Sequence, residues 1–352
     1  VAGAGAVGLA CAAALSRRGV EVLVLEAAAA VGSGTSSRSS EVVHAGLYYP
    51  TGSAKARHCR RGRDMLYDYL GAHSVPHLRC GKLVVATSEA ELPQLHRIEK
   101  QAHANGVHDV RLIGAADARA MEPEVRAVAA LFSPSTGIFD SHSYMLALQA
   151  EAEGFGCAFA FQCPVESVDL QGDGAVLHTA HGTVECDVLV NAAGLHAPFL
   201  AEKCCGLARD YVPGAYYAKG SYFRLSDAHP SPFSHLVYPM PEEGGIGVHA
   251  TIDLAGRTRF GPDVEWVLSP GPSASPYLHR SPPELDYVVD PSAAARFEAL
   301  VREYWPSMPT PAAGGGGGVL LPDYAGVRPK LCGPSADPSP AAERWRGGDF
   351  VV

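Results

Sequence analysis

The chain has 352 residues, 47% of them hydrophobic and 18% charged, with a formal net charge of −9. That length and composition suit one large or two modest domains of an ordinary globular protein. The acidic balance speaks against a nucleic-acid surface, and no apolar run is long enough to span a membrane.

The first residues read "VAGAGAVGLACAAALSRRGVEVLVLEA". Gly3, Gly5 and Gly8 spell G-x-G-x-x-G after Val1 and Ala2, the remnant of a strand. A helix should follow from Leu9 to Leu15, ending at Ser16-Arg17-Arg18-Gly19, and then a second buried strand that ends in Glu26. Gly3 permits the sharp turn, Gly5 lets the backbone approach a pyrophosphate, and Gly8 lets the helix pack close to the sheet. The helix N-terminus offers free N–H groups to phosphate. Glu26, about twenty residues on, can accept hydrogen bonds from ribose hydroxyls. This order of elements predicts dinucleotide binding. The acid disfavours a 2′-phosphate and leaves NAD and FAD both open.

Residues 27–52 read as a long polar loop. Residues 53–74 read as a helix with Met65, Leu66, Tyr69 and Leu70 on its apolar face. Its basic cluster, Lys55, Arg57, Arg60, Arg61 and Arg63, reads as a solvated face. "KLVVATS" (82–88) is a strand and 89–106 a helix stopped by Gly106. Asp140 and Ser141 look like a helix start, with Asp140 a cap rather than a catalytic acid. Strands at 164–170, 175–180 and 183–194, joined by tight turns, suit an antiparallel meander. The last of them returns with the small residues Ala192, Ala193 and Gly194, which would let the strand end approach a cofactor. Residues 211–267 and 285–290 are strand-rich and should form a second, substrate-bearing sheet. Residues 269–283 and 314–318 read as flexible insertions without chemistry. Nine scattered cysteines with no C-x-x-C favour a reduced compartment and no metal, since adjacent Cys204 and Cys205 would make a strained bridge at best. The chain starts and stops inside apparent strands and reads as a fragment at both ends.

The loop "GSGTSSRSSEVVHAGLYYP" (32–50) narrows the cofactor. It resembles the FAD-dependent oxidoreductases of the D-amino-acid oxidase and glycerol-3-phosphate dehydrogenase superfamily. In them the matching loop wraps the flavin, and a strand similar to "VLVNAAG" makes a second FAD contact. "RCGKLVVATSEAELPQL", "SPSTGIFDSH", "AKGSYF", "GVHATIDLAGRTRFGPDVEW" and "YAGVRPKL" extend the likeness. Together these segments are similar to the L-2-hydroxyglutarate dehydrogenase family over nearly the whole chain. The resemblance implies a Rossmann-type FAD-binding domain (residues 1–80 and 140–210, completed near 320–352). A second, mainly antiparallel β-sheet substrate domain would comprise 81–139 and 211–319. It also implies FAD as cofactor, held by Gly3, Gly5, Gly8, Glu26, Thr35, Ser36, Ser37, Arg38, His44, Val165, Ala193 and Gly194.

The implied reaction is oxidation of a 2-hydroxy dicarboxylate, with the C2 hydride passing to flavin N5. Arg328, in the G-[IV]-R-P turn, would clamp the carboxylate, and Lys330 is a candidate for the distal one. Of fifteen histidines, His249 is favoured as base and His44 as flavin neighbour. Tyr48 and Tyr49 are candidates to line the pocket, and Lys219 is a weaker candidate for substrate contact. Electrons would pass to an acceptor other than NAD, either a quinone or an electron-transfer flavoprotein. The family implies a mitochondrial location in a eukaryote. In a bacterium it implies the cytoplasm or the inner membrane, with peripheral membrane association. An amino-acid oxidase-like enzyme and a non-catalytic dinucleotide-binding remnant are the competing readings.

Overall fold

A computed structural model of the chain describes residues 1–241, 247–270, 275–310, 318–335 and 348–350. Ala2 sits between Leu25 and Asn191 in parallel bridges, donating its N–H to the Val190 carbonyl and accepting from Ala192. The strand Leu23–Leu25 in turn pairs in parallel with Ala158–Ala160. These parallel segments carry the glycine turn at one end. The helix Ala6–Ser16 follows that turn as expected. It packs on the helix Ser141–Gly154, with Leu9, Ala12, Ala13, Val24, Met145, Leu148 and Ala152 buried between and beneath them. Small alanines on the first helix allow that close approach, and a fully buried leucine such as Leu9 contributes about 1.5–3 kcal/mol. Asp140 caps the second helix, its Oδ1 accepting from Ser143 N at 2.9 Å.

The meander forms from Val165–Gln171, Gly174–Thr179 and Gly182–Cys186, all antiparallel neighbours, with Cys204–Cys205 added in parallel to the first. Its last strand stops at Cys186, short of the expected Gly194. Beyond it the chain leaves the meander, because Asn191 is needed beside Ala2.

A nine-stranded sheet makes the other half. From one edge it runs Glu265–Trp266, Tyr216–Leu225, Thr258–Gly261, His249–Ile252, Leu236–Tyr238, Lys82–Ala86, Ala129–Ser133 and Arg111–Gly114. The long strand Leu320–Lys330 pairs along the whole of Tyr216–Leu225. Two hydrophobic clusters cover the sheet, one around Phe223, Phe260, Phe297 and Tyr304 and the other around Leu47, Val84, Leu131 and Tyr238. A small sheet of Val42–Val43, Gly137–Phe139 and His77–Leu78 stands beside it.

Several expectations are corrected. The loop 27–52 contains a 3-10 turn, Thr35–Arg38, and the short strand Val42–Val43. The helix after it runs Ala54–Ala72 and is capped by Ser53, but Met65 is 57% exposed. The buried residues of that helix are Ala56, Tyr67 and Leu70, so the apolar face is narrower than the sequence suggests. Residues 285–290 form no strand. In the segment 269–283, residues 271–274 lie outside the described residues, but Ser275, Leu278 and His279 are buried. His279 donates its N–H to the Ala215 carbonyl, so this part of the supposed flexible insertion is packed. Four of the five consecutive glycines, 314–317, lie outside the described residues.

Candidate active site

The glycine turn is built by close backbone approach. A Cβ on Gly3 would stand 2.5 Å from the Ala192 carbonyl oxygen and 3.2 Å from Ala193 Cα, and a Cβ on Gly8 only 2.0 Å from the Gly3 carbonyl oxygen. Gly3 has φ +108°, which only glycine takes readily. Gly5 differs, because a Cβ there would meet nothing but Ser36 Oγ, at 3.0 Å. That space beside a helix N-terminus which Gly5 itself does not cap fits a diphosphate, as the motif predicts. Ser36 Oγ accepts the Ala6 N–H at 3.0 Å. Glu26 braces the turn, with Oε2 accepting from Ala4 N at 2.6 Å and Oε1 from Ala28 N at 2.8 Å. An ionised carboxylate has about four acceptor positions, so capacity remains for ribose hydroxyls. Val165 and Ala193 pack together in the cluster under this turn, and Gly194 begins the short turn that follows.

The 3-10 turn Thr35–Arg38 joins the glycine turn to the far end of the chain. Thr35 Oγ1 donates to the Val327 carbonyl at 3.3 Å and Arg38 Nη1 to the Ala325 carbonyl at 3.2 Å. A Cβ on Gly326 would fall 2.5 Å from the Arg38 carbonyl oxygen, so only glycine lets the two segments meet. Ser37 Oγ donates to the Gly34 carbonyl and holds the turn itself.

His44, Lys82 and Arg328 all act electrostatically on His249, and Lys82 acts on His44 as well. His249 is 1% exposed and stacks on Tyr238 with ring centres 3.8 Å apart. Its Nδ1 lies 3.0 Å from the Gly247 carbonyl oxygen. A carbonyl can only accept, so in the neutral ring Nδ1 carries the hydrogen and Nε2 carries the lone pair. Nε2 is buried with no partner among the described residues. The His249 pKa is lowered to about 3, chiefly by burial; the Gly247 hydrogen bond opposes the shift, and His44, Lys82 and Arg328 add to it. His44 is likewise lowered to about 3 by burial and then by Lys82. Both rings are therefore neutral at neutral pH.

Arg328 lies on the strand Leu320–Lys330, and its Nη2 donates to the Asp263 carbonyl at 2.6 Å. A Cβ on Gly220 would stand 2.6 Å from that nitrogen, so the glycine makes room for the guanidinium. Lys330 shares the strand two residues on. Its pKa is lowered by burial and then by Arg328 and Lys55. Tyr48 is half-buried, and its enclosed hydroxyl has no partner among the described residues. The Tyr49 carbonyl accepts from Asn105 Nδ2 at 2.8 Å. Lys219 is turned elsewhere, donating to the Val288 carbonyl at 2.6 Å and facing Asp286 at 3.4 Å.

Lys82 was not anticipated as a site residue. It opens the strand Lys82–Ala86, whose five residues are all buried. The signal was present in the sequence: "KLVVA" does not alternate, so both faces of the strand are covered and the lysine goes in with them. Burial lowers its pKa to about 7. A cavity of about 460 Å³ lined by Phe199, Arg209, Leu278 and His279 does not include this cluster.

The family model for FAD dependent oxidoreductase matches residues 1–351. A protein of Arabidopsis thaliana called L-2-hydroxyglutarate dehydrogenase, mitochondrial, is 40% identical over the whole chain, which spans 75% of that relative. The Nematostella vectensis protein of the same name is 31% identical over 75% of the chain and 61% of its own length. An L-2-hydroxyglutarate dehydrogenase of Escherichia coli K12 is 28% identical, with the chain spanning 57% of it. The chain thus spans three-quarters of one relative and about three-fifths of the others. Among solved structures, the L-alpha-glycerophosphate oxidase of Mycoplasma pneumoniae with FAD bound aligns with a TM-score of 0.79. It is 20% identical, and the alignment covers 97% of this chain and 83% of that one. Glycine oxidase of Geobacillus kaustophilus aligns at 0.73 and 19% identity, over 94% and 82%.

Proposed function

The chain belongs to the FAD dependent oxidoreductase family, and from that premise we propose that it oxidises L-2-hydroxyglutarate to 2-oxoglutarate. The observation that carries the reading is His249 Nε2, a buried lone pair without a partner among the described residues, in the field of two cations. FAD would be held by the turn Gly3, Gly5 and Gly8, by Glu26, by Thr35, Ser36, Ser37 and Arg38, and by Val165, Ala193 and Gly194, with His44 beside the flavin. When bound, it supplies the acceptor for the hydride that leaves C2.

The remaining steps belong to the protein. The Arg328 guanidinium, already aimed by the Asp263 carbonyl, pairs with the carboxylate next to C2. His249 Nε2 accepts the hydroxyl proton as C2 loses its hydride, so a ketone forms and the ring becomes imidazolium. The incoming anion raises the His249 pKa from its depressed value, which brings base and reaction pH closer together. Tyr48 lines the pocket, and Lys330 adds positive potential on the Arg328 strand. Residues 81–139 with 211–319 form the substrate-bearing part and the rest the FAD-binding part. The electrons go on to a quinone or an electron-transfer flavoprotein, with peripheral membrane contact in a bacterium and a mitochondrial location in a eukaryote.

The test is anaerobic mixing of the flavin-loaded protein with L-2-hydroxyglutarate, its D enantiomer and L-glutamate. Bleaching of the flavin by the L-hydroxy acid alone, with one 2-oxoglutarate per flavin, is expected. Bleaching by L-glutamate and not by the hydroxy acid would assign the chain to amino-acid oxidation instead.

A further inference from the structure

Lys82 is a charge that the reaction above leaves without a task. Its side chain is buried, and the residues that surround it offer little to hold an ammonium. The Nζ lies 4.6 Å from the centre of the Tyr238 ring and 4.9 Å from that of Tyr48. Aromatic faces return only part of the desolvation cost of a buried ion. No carboxylate pairs with it among the described residues. The other titratable groups around it are Cys59, His44, His249, Tyr48 and Tyr238, and burial holds all five in their neutral forms. Among the described residues, then, nothing supplies a counter-charge to protonated Lys82.

Its position in the sheet points to a source for that counter-charge. The strand of Arg328 is followed, in order, by Tyr216–Leu225, Thr258–Gly261, the strand of His249, Leu236–Tyr238 and the strand of Lys82. His249 thus stands on a strand between those of the two cations, and both act on its ring. For an acid whose C1 carboxylate met Arg328 and whose hydroxyl met His249, Lys82 would stand on the other side of His249 in the strand order. A monoacid would leave Lys82 bare, while a diacid pairs with both cations. Lys330 is placed differently, beside Arg328 and Lys55.

We propose that Lys82 binds the distal carboxylate of the substrate and is the residue that makes this site select a 2-hydroxy dicarboxylate over a 2-hydroxy monoacid. The proposal rests on the reading that the substrate is L-2-hydroxyglutarate, and the test separates the two.

The flavin-loaded protein and its Lys82→Met, Lys82→Arg and Lys330→Met variants are compared in two ways. The first is the ratio of kcat/KM for L-2-hydroxyglutarate to that for L-2-hydroxybutyrate. The second is the binding of glutarate and of butyrate, which carry no hydroxyl, followed by the flavin absorbance spectrum. Lys82→Met keeps the length and the apolar packing, and should lower the kcat/KM ratio on the order of 100-fold while L-2-hydroxybutyrate turnover stays within a few-fold. Glutarate should lose its advantage over butyrate in the same variant, Lys82→Arg should keep part of it, and Lys330→Met should keep most of it. If Lys82→Met retains its flavin, Lys82→Arg reports charge alone; if it does not fold, Lys82→Arg and Lys330→Met still decide which lysine sets the ratio. A wild type that binds glutarate over butyrate but does not oxidise L-2-hydroxyglutarate would overturn the reaction and leave Lys82 in place. A wild type without that discrimination, an unchanged ratio in folded Lys82→Met, or a collapse in Lys330→Met would overturn the assignment of Lys82.

Discussion

Gly5 and Gly8 lie three residues apart in one motif, yet the structure separates what each does. An alanine Cβ at position 8 would stand 2.0 Å from the Gly3 carbonyl oxygen, about 1.4 Å inside ordinary contact. Gly3 is itself confined, because a Cβ built on it would stand 2.5 Å from the Ala192 carbonyl oxygen. Overpacking of this kind costs about 1–3 kcal/mol and more where backbone must move, so Gly8→Ala should lose about 3 kcal/mol. For a chain of this size that lowers Tm by about 5 °C. An alanine at position 5 meets only the rotatable Ser36 hydroxyl at 3.0 Å, so the apoprotein should melt within about 1 °C of the wild type. The same methyl occupies the space where a diphosphate would approach, and retained flavin should fall at least about tenfold. The assays are thermal unfolding of the two apoproteins and flavin absorbance per chain after purification. Normal flavin content in Gly5→Ala, or an apoprotein Tm as low as that of Gly8→Ala, would refute the division of labour.

Three further outcomes are expected. Gly220→Ala drives a methyl into the Arg328 guanidinium, 2.6 Å away, and should raise KM for every 2-hydroxy acid about tenfold or more, read by steady-state kinetics. His249→Gln should slow flavin reduction by about 10²–10⁴-fold with a smaller change in substrate affinity, and reduction at wild-type speed in a stopped-flow experiment would remove it as the base. The third concerns pH. Lys82 is lowered from 10.5 to about 7 and His44 and His249 from 6.5 to about 3. In each case the unfolded chain binds more protons in the interval, so these groups favour folding at high pH. Their contribution is lost from pH 10.5 down to 7 for the lysine and from 6.5 down to 3 for the histidines. Glutarate binding should run the opposite way, weakening above pH 7 as free Lys82 loses its proton. Chemical denaturation and glutarate titration across pH 5–10 check both slopes.

The parts legible in the sequence are those set by local backbone demands. The glycine turn and the helix cap at Asp140 follow from residue type over a few positions, and the returning "VLVNAAG" segment does lie beside Ala2. The parts that were not legible depend on partners far away in the chain. Met65 falls on an apparent apolar face, but it is left more than half exposed. Segment 275–279 reads as a Ser/Pro linker, yet its backbone pairs with Ala215. The non-alternating "KLVVA" signals a strand covered on both faces, but what Lys82 meets there depends on its distant neighbours Leu236–Tyr238 and Ala129–Ser133.

The contact between Thr35–Arg38 and the strand Leu320–Lys330 has a consequence for how the protein is made. The two partners are 292 residues apart at Thr35 and Val327. A nascent chain emerging from the ribosome can assemble the glycine turn, its helix and the parallel strands as soon as residue 192 or so is free. The turn that follows Gly34 has no carbonyls to grip until residues 325–327 have also emerged. Fastening of the Thr35–Arg38 turn is thereby deferred until that strand has emerged. A polypeptide arrested before the arginine strand would hold the glycine turn beside an unfastened Thr35–Arg38 turn.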